Sequence, residues 1–249
     1  MQEKRDLYPR GLLQPKSGFR FSLDALLLAC YPQIGKKEKI LDLGCGCGVI
    51  GFGIFLLHED RELEVTGLEL IPEMVEYARE NARMLGLECA YSVFNLDIRH
   101  MRRSESIAPE SFDRVVLNPP YRKENQGRIS PKQDKNVACF EKDTGLEDFL
   151  QAAAYALKNK GRINVVYPAN SQSYLLELML KHKLEPKRMC FVHSRSSDAA
   201  IFLLLEAVKN AGKGVAVQPP LFLYSAEQNL YSRQALQFCP FLKCNSGKR

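Results

Sequence analysis

Residues Lys39–Gly53, KILDLGCGCGVIGFG, restrict the possible folds more than any other stretch of this chain. A short apolar run, Ile40–Leu43, passes into Gly44, Gly46 and Gly48 and then into the apolar segment Val49–Leu57. A buried strand, a glycine turn and a helix in that order are the opening unit of an α/β sheet. Glycines there let a ligand approach the backbone, and the start of the helix offers unpaired N–H groups. Gly46–Gly51 also satisfies GxGxxG, so a nicotinamide or flavin site has to be weighed. Asp42 argues against it. A carboxylate lining the pocket repels a pyrophosphate and suits a cationic ligand carrying an ammonium or sulfonium. Cys45 and Cys47 form a CxC with no His or further Cys placed to complete a metal site, so they are read as small loop residues.

The next segments repeat the alternation. Glu64–Leu70 reads as a second strand, with Glu69 near its end and about twenty positions past Gly48, where an acid grips ribose hydroxyls in dinucleotide-type folds. Pro72 opens a helix through about Leu85, with Gly86 as its stop. Ala90–Phe94 is a third strand followed by Asp97, either an acceptor for the exocyclic amine of an adenine ring or a turn-forming residue. Phe112 and Val115–Leu117 make the short apolar run of a fourth, buried strand. Gly44, Glu69, Asp97 and Asn118 thus follow successive strands, and open α/β sheets bind ligands at that edge.

The fourth strand runs into Asn118-Pro119-Pro120-Tyr121. Neither proline donates to a sheet ladder, and each holds the residue before it extended. The Asn118 side-chain oxygen and the Pro119 carbonyl are then placed to accept both protons of a planar NH2 group, with Tyr121 offering a face to stack on it. An amine on an sp2 carbon is a poor nucleophile, and two acceptors on its hydrogens favour the tetrahedral nitrogen of an alkylation transition state.

Later segments predict a substrate loop and a second half of the sheet. Residues 122–143 lack periodicity and carry six basic side chains against four acids, as expected of a mobile lid over a phosphate-bearing substrate. Thr144–Glu147 reads as a capping box for a helix over 146–158, followed by a strand at 162–167 and a helix at 171–183. Segments 189–193 and 200–207 read as an antiparallel pair. Near the N-terminus Ser22 is a plausible N-cap, with Asp24 in the first turn of the helix ahead of Pro32.

Composition excludes several classes. With 249 residues, 45% hydrophobic and 26% charged, the chain fits a soluble globular protein of one large α/β domain or two small ones. No apolar run approaches the roughly 20 residues of a membrane span. The polar start lacks a signal-peptide core, and eight cysteines without CxxC or disulfide-framework spacing suit a reducing cytoplasm. A net charge of +6 mildly favours a polyanionic partner.

With DLGCGCG at 42–48, Glu69, Asp97 and NPPY at 118–121 in this order, the chain resembles class I S-adenosylmethionine-dependent methyltransferases acting on planar NH2 groups. GFRFSLDALLLA at 18–29 and PPLFLY at 219–224 narrow the resemblance to the bacterial tRNA(Val) adenine N6-methyltransferases, which modify adenosine beside the anticodon. The resemblance spans about residues 10–236. That family more often has Thr where Cys45 and Cys47 stand. It implies a Rossmann-like, seven-stranded, mostly parallel sheet with one antiparallel strand and helices on both faces. The whole chain, 1–249, is then one domain, with 1–32 closing over the cofactor and 122–143 as the substrate loop. Asp42, Gly44, Cys45, Gly46 and Gly48 would hold the methionine part of S-adenosylmethionine, Glu69 the ribose and Asp97 the adenine. Phe21 and Asp24 would close over it. Asn118, Pro119, Pro120 and Tyr121 would form the catalytic acceptor site, with no metal. The implied partner is tRNA, met by a cytoplasmic monomer without membrane contact. NPPY suits the amide of glutamine equally, so a release-factor glutamine N5-methyltransferase is the alternative. Those enzymes carry a helical N-terminal domain, and about 38 residues precede the first strand here. A DNA adenine N6-methyltransferase is a further alternative, for which no target-recognition domain is evident.

Overall fold

Strand β1 (Lys37–Leu43) lies near the middle of the sheet, between β2 (Glu62–Glu69) and β4 (Phe112–Leu117), and is parallel to both. The computed structural model describes residues 8–15, 21–120, 144–225 and 230–245. Strand order is β3-β2-β1-β4-β5-β7-β6-β8, where β3 is Tyr91–Asn95, β5 Leu157–Pro168, β6 Leu184–His193, β7 Ala200–Lys209 and β8 Ala216–Val217. Strand β7 runs antiparallel to β6, as expected for segments 189–193 and 200–207, and antiparallel to β5 as well. The chain leaves β1 toward one edge and returns to β4 on its other side. That reversal opens the crevice in which such sheets bind ligands.

The sheet has nine strands among the described residues, not seven. The two additions, β8 and β9 (Leu221–Phe222), are two-residue strands that pair with β6 at Arg188–Met189 and Val192–His193. Two residues carry no periodicity, so neither strand is legible from sequence.

Both faces of the sheet are covered, which is why its central strands read as continuous apolar runs. On one face Ile40, Val116, Val166 and Leu204 pack with α1 (Leu23–Cys30), α2 (Val49–Leu57), α3 (Pro72–Met84) and the C-terminal segment. On the other, Leu41, Leu43, Val115 and Leu117 pack with α4 (Leu146–Ala156), α5 (Gln172–Lys181) and the 3-10 turn Ile98–Arg103. No helix among the described residues is long and apolar enough to cross a membrane.

Most element ends lie within a few residues of the sequence expectation, and those of α4 differ for identifiable reasons. Helix α4 is capped one residue later than expected. Gly145 is the N-cap, and the Asp148 carboxylate rather than Glu147 accepts its N–H at 2.9 Å. The helix ends at Ala156 instead of 158, because Leu157 already pairs with Phe112 and the chain then bulges to Arg162 opposite Arg114. Ser22 does occupy the N-cap of α1, but its hydroxyl donates to Asp24 rather than accepting from the helix backbone.

Away from the ligand edge a buried ionic row crosses five strands. Arg114, 1% exposed, donates to Glu38 (2.7 Å), Asn164 (2.6 Å), Glu206 (3.3 Å) and the Gln33 carbonyl (2.8 Å). Arg162 and Arg188 complete the charges around Glu206.

Candidate active site

The loop between β1 and α2 is held from below and from the side. Gly44, Gly46 and Gly48 all have positive φ, which side-chain-bearing residues rarely adopt. Gly48 is the N-cap of α2, and a Cβ there would overlap the Phe52 ring. The Gly44 and Cys45 N–H groups donate to the Leu68 carbonyl at 2.9 and 3.0 Å, and Gly46 N–H donates to Glu69 Oε2 at 2.9 Å. The loop is thus tied to the end of β2.

Two adjoining cavities, of about 130 and about 250 Å3, open at the C-terminal edge of β1, β2 and β4. They share Gly44, Gly46, Met74, Asn118 and Pro120 as a common wall. The smaller one adds Glu69 and Asp97 among the apolar side chains of Leu68, Ile71, Leu96, Ile98 and Phe149. The larger adds Phe21, Asp24, Cys45, Cys47 and Pro119. One elongated crevice therefore brings together Phe21, Asp24, Gly44, Cys45, Gly46, Glu69, Asp97, Asn118, Pro119 and Pro120 of the residues expected from sequence. Tyr121 and segment 122–143 lie outside the described residues.

The acids differ in their surroundings. Glu69 accepts from Gly46 with one oxygen and from Ile71 N–H with the other, both at 2.9 Å. Burial raises its pKa, and those two bonds oppose the rise. Asp97 caps the 3-10 turn by accepting Arg99 N–H and is gripped by the Arg99 guanidinium at 2.6 Å. That bond holds its carboxyl below the usual range. Both sequence readings of Asp97, turn former and cavity acid, therefore meet in one side chain.

Asp42 departs from the expectation that it lines the pocket. It is fully buried and belongs to neither cavity wall, because it points into the packed face beneath the glycine loop. Its Oδ2 accepts Gly51 N–H at 3.2 Å and the Tyr91 hydroxyl at 3.5 Å, while Oδ1 has no partner among the described residues. Burial pushes its pKa up to about 7. Burial likewise drives the Cys45 thiol well above its usual value and Cys47 to about 12, so both stay protonated. Among the described residues no three His, Cys, Asp or Glu side chains cluster as metal ligands.

Residues 34–211 match the family model described as a methyltransferase domain. The chain belongs to the methyltransferase-domain family. The methyltransferase is 26% identical over 222 residues to the tRNA1(Val) (adenine(37)-N6)-methyltransferase of Actinobacillus succinogenes, covering 89% of each chain. It is 23% identical over 216 residues to the protein of the same name from Dyadobacter fermentans, covering 86% of each. Among solved structures it is similar to a predicted O-methyltransferase from Agrobacterium tumefaciens, with a TM-score of 0.72, 21% identity and coverage of 88% and 96%. A TehB-like SAM-dependent methyltransferase from Corynebacterium glutamicum aligns with a TM-score of 0.50 and 22% identity, covering 84% and 95%. These structural likenesses carry the class I fold.

The methyltransferase uses S-adenosylmethionine, and its crevice fits that group. Acidic groups stand at both ends of an otherwise largely apolar trough, as a ligand with hydroxyls, a purine and an ammonium requires. Three contributors escaped the sequence reading. Phe149 reaches the glycine loop from α4, close enough that a Cβ on Gly44 would lie 3.4 Å from its ring. Tyr91 packs under Gly51 and reaches Asp42. Asn81, fully buried on α3, donates to the carbonyls of Cys47 (3.0 Å) and Leu13 (2.9 Å) and accepts Leu13 N–H (2.7 Å). A single Asn in an amphipathic helix gives no sequence signal of that bridging role.

Proposed function

We propose that this methyltransferase modifies the exocyclic N6 amine of an adenine in tRNA, beside the anticodon. The observation that carries the reading is the position of Asn118-Pro119-Pro120. The segment follows β4, with Asn118 and Pro120 on the wall that both cofactor cavities share and Pro119 on the larger one. S-adenosylmethionine supplies an electrophilic methyl group. Asn118 and Pro119 offer oxygens to the two amine hydrogens, which favours a tetrahedral nitrogen as it attacks. No strong general base is required, because the proton can leave to water after the bond has formed. Glu69 holds the ribose hydroxyls, Asp97 the adenine end, and the Gly44–Gly48 loop the methionine part. Phe21 and Asp24 close over it, and the whole chain acts as one domain in which 122–143 meets the RNA.

The named relatives favour tRNA over other acceptors, since they are called tRNA adenine N6-methyltransferases. A loop base is also cheaper to bring into a site than one stacked in a duplex. The basic side chains Arg99, His100, Arg102 and Arg103 follow Asp97 in the chain and suit a phosphate backbone. Tyr121 is assigned to stack the target base, so Tyr121→Ala should weaken substrate binding by about 1–3 kcal/mol.

The test is transfer of labelled methyl from S-adenosylmethionine to unmodified tRNA, duplex DNA and a peptide release factor in parallel. Label at N6 of a tRNA adenine next to the anticodon is expected. Methylglutamine in the release factor, with unlabelled tRNA, would transfer the assignment to the glutamine enzymes.

A further inference from the structure

Asp24 lies at the start of α1 and is 3% exposed, yet it is part of the wall of the larger cavity. It is the one acidic side chain among the described residues of that wall, where it faces Gly44–Cys47, Met74 and Asn118–Pro120. One of its oxygens, Oδ1, receives both the Ser22 hydroxyl and the Ala25 N–H. Among the described residues, Oδ2 receives no hydrogen bond and no Lys, Arg or His pairs with the carboxylate. A buried carboxylate is costly unless a charge or several donors balance it. Asp42, the acid that the glycine-loop motif suggests for this task, is enclosed beneath the loop and lines neither cavity.

We infer that Asp24 is the positioning residue for the α-ammonium of the cofactor's methionine part, and that Asp42 instead supports the loop. The inference rests on the S-adenosylmethionine reading and is independent of which acceptor is methylated. Glu69 and Asp97 set the ribose and adenine end in the smaller cavity, so the methionine end extends into the larger one. Two cationic groups then fall near Asp24: the sulfonium and the ammonium. The sulfonium charge disappears as the methyl leaves, and a carboxylate against it would stabilise the ground state more than the transition state. The ammonium keeps its charge throughout. Pairing Asp24 with the ammonium anchors the ligand without opposing the reaction.

Calorimetry with three ligands tests this directly. S-adenosylmethionine carries sulfonium and ammonium, S-adenosylhomocysteine only the ammonium, and 5′-methylthioadenosine neither. Asp24→Asn should weaken the first two alike, by about ten- to a hundredfold, and leave methylthioadenosine within about twofold. Asp42→Asn should leave the ratio of homocysteine to methylthioadenosine affinity unchanged. Loss confined to S-adenosylmethionine would reassign Asp24 to the sulfonium. Equal loss for all three ligands, or no loss for any, would overturn the inference. Should Asp24→Asn not fold, Asp24→Glu keeps the charge but displaces it, and should weaken S-adenosylhomocysteine while sparing methylthioadenosine. Wild-type protein that binds none of the three would instead overturn the cofactor reading.

Discussion

Glu69 Oε2 accepts the Gly46 N–H at 2.9 Å, so the last residue of β2 fixes the loop that follows β1. The same carboxylate also faces the smaller cavity. It therefore shapes the glycine loop, and its remaining lone pairs are the ones we propose for the ribose hydroxyls.

Glu69→Ala removes the loop anchor and the proposed ribose contact together. It should cost about 1.5–3 kcal/mol of S-adenosylmethionine affinity, the range for hydrogen bonds to a charged group. Calorimetry checks this, and Glu69→Gln, which can still accept from Gly46, should retain part of the binding.

Asn118→Ala should lower kcat by roughly two to three orders of magnitude, as for other lost transition-state acceptors, with cofactor affinity little changed. Single-turnover methylation and cofactor titration on the same preparation separate the two effects. Unchanged turnover would rule out the acceptor role of Asn118.

The pH dependence of stability should carry the mark of Asp42, whose folded pKa of about 7 lies above its unfolded value. Between about pH 4 and about pH 7 the folded state then holds more protons than the unfolded state. Its contribution to stability is therefore full below about pH 4 and is lost as pH rises toward 7, at up to about 1.4 kcal/mol per pH unit. Asp42→Asn should flatten that fall in urea titrations of the ligand-free protein. Some slope should remain, because Glu69 is shifted in the same direction.

Arg114 joins β1, β4, β5 and β7 through Glu38, Asn164 and Glu206. Removing one member of a buried ionic set leaves its partners uncompensated, so Arg114→Met should cost about 3–5 kcal/mol. Denaturant midpoints at neutral pH test this. The row lies away from the ligand crevice, so cofactor affinity at low temperature should be close to wild type.

Much of the fold was legible in sequence because it depends on local patterning. The apolar run Ile40–Leu43, the glycines after it and the helix Val49–Leu57 each carry a short-range signal, and the structure forms them at those residues. Pro119 and Pro120 end β4 for the same local reason. The ordering of Gly44, Glu69, Asp97 and Asn118 after successive strands was enough to place them along one edge. Boundaries such as Leu157 were not legible, because pairing with Phe112 overrides the helical pattern of the residues before it.

What only the tertiary structure decided is where each side chain points once its strand is packed. Asp42 precedes the glycine loop in sequence, but strand alternation turns it onto the α2 face, toward Gly51 and Tyr91. Asp24 lies 18 positions before Asp42 in the chain, yet α1 brings it against the loop from outside. Sequence determined which residue types were present and which elements they would form. The packing of α1 and α2 on the sheet determined which acid became buried support and which became cavity wall, because that choice depends on contacts between segments remote in the chain.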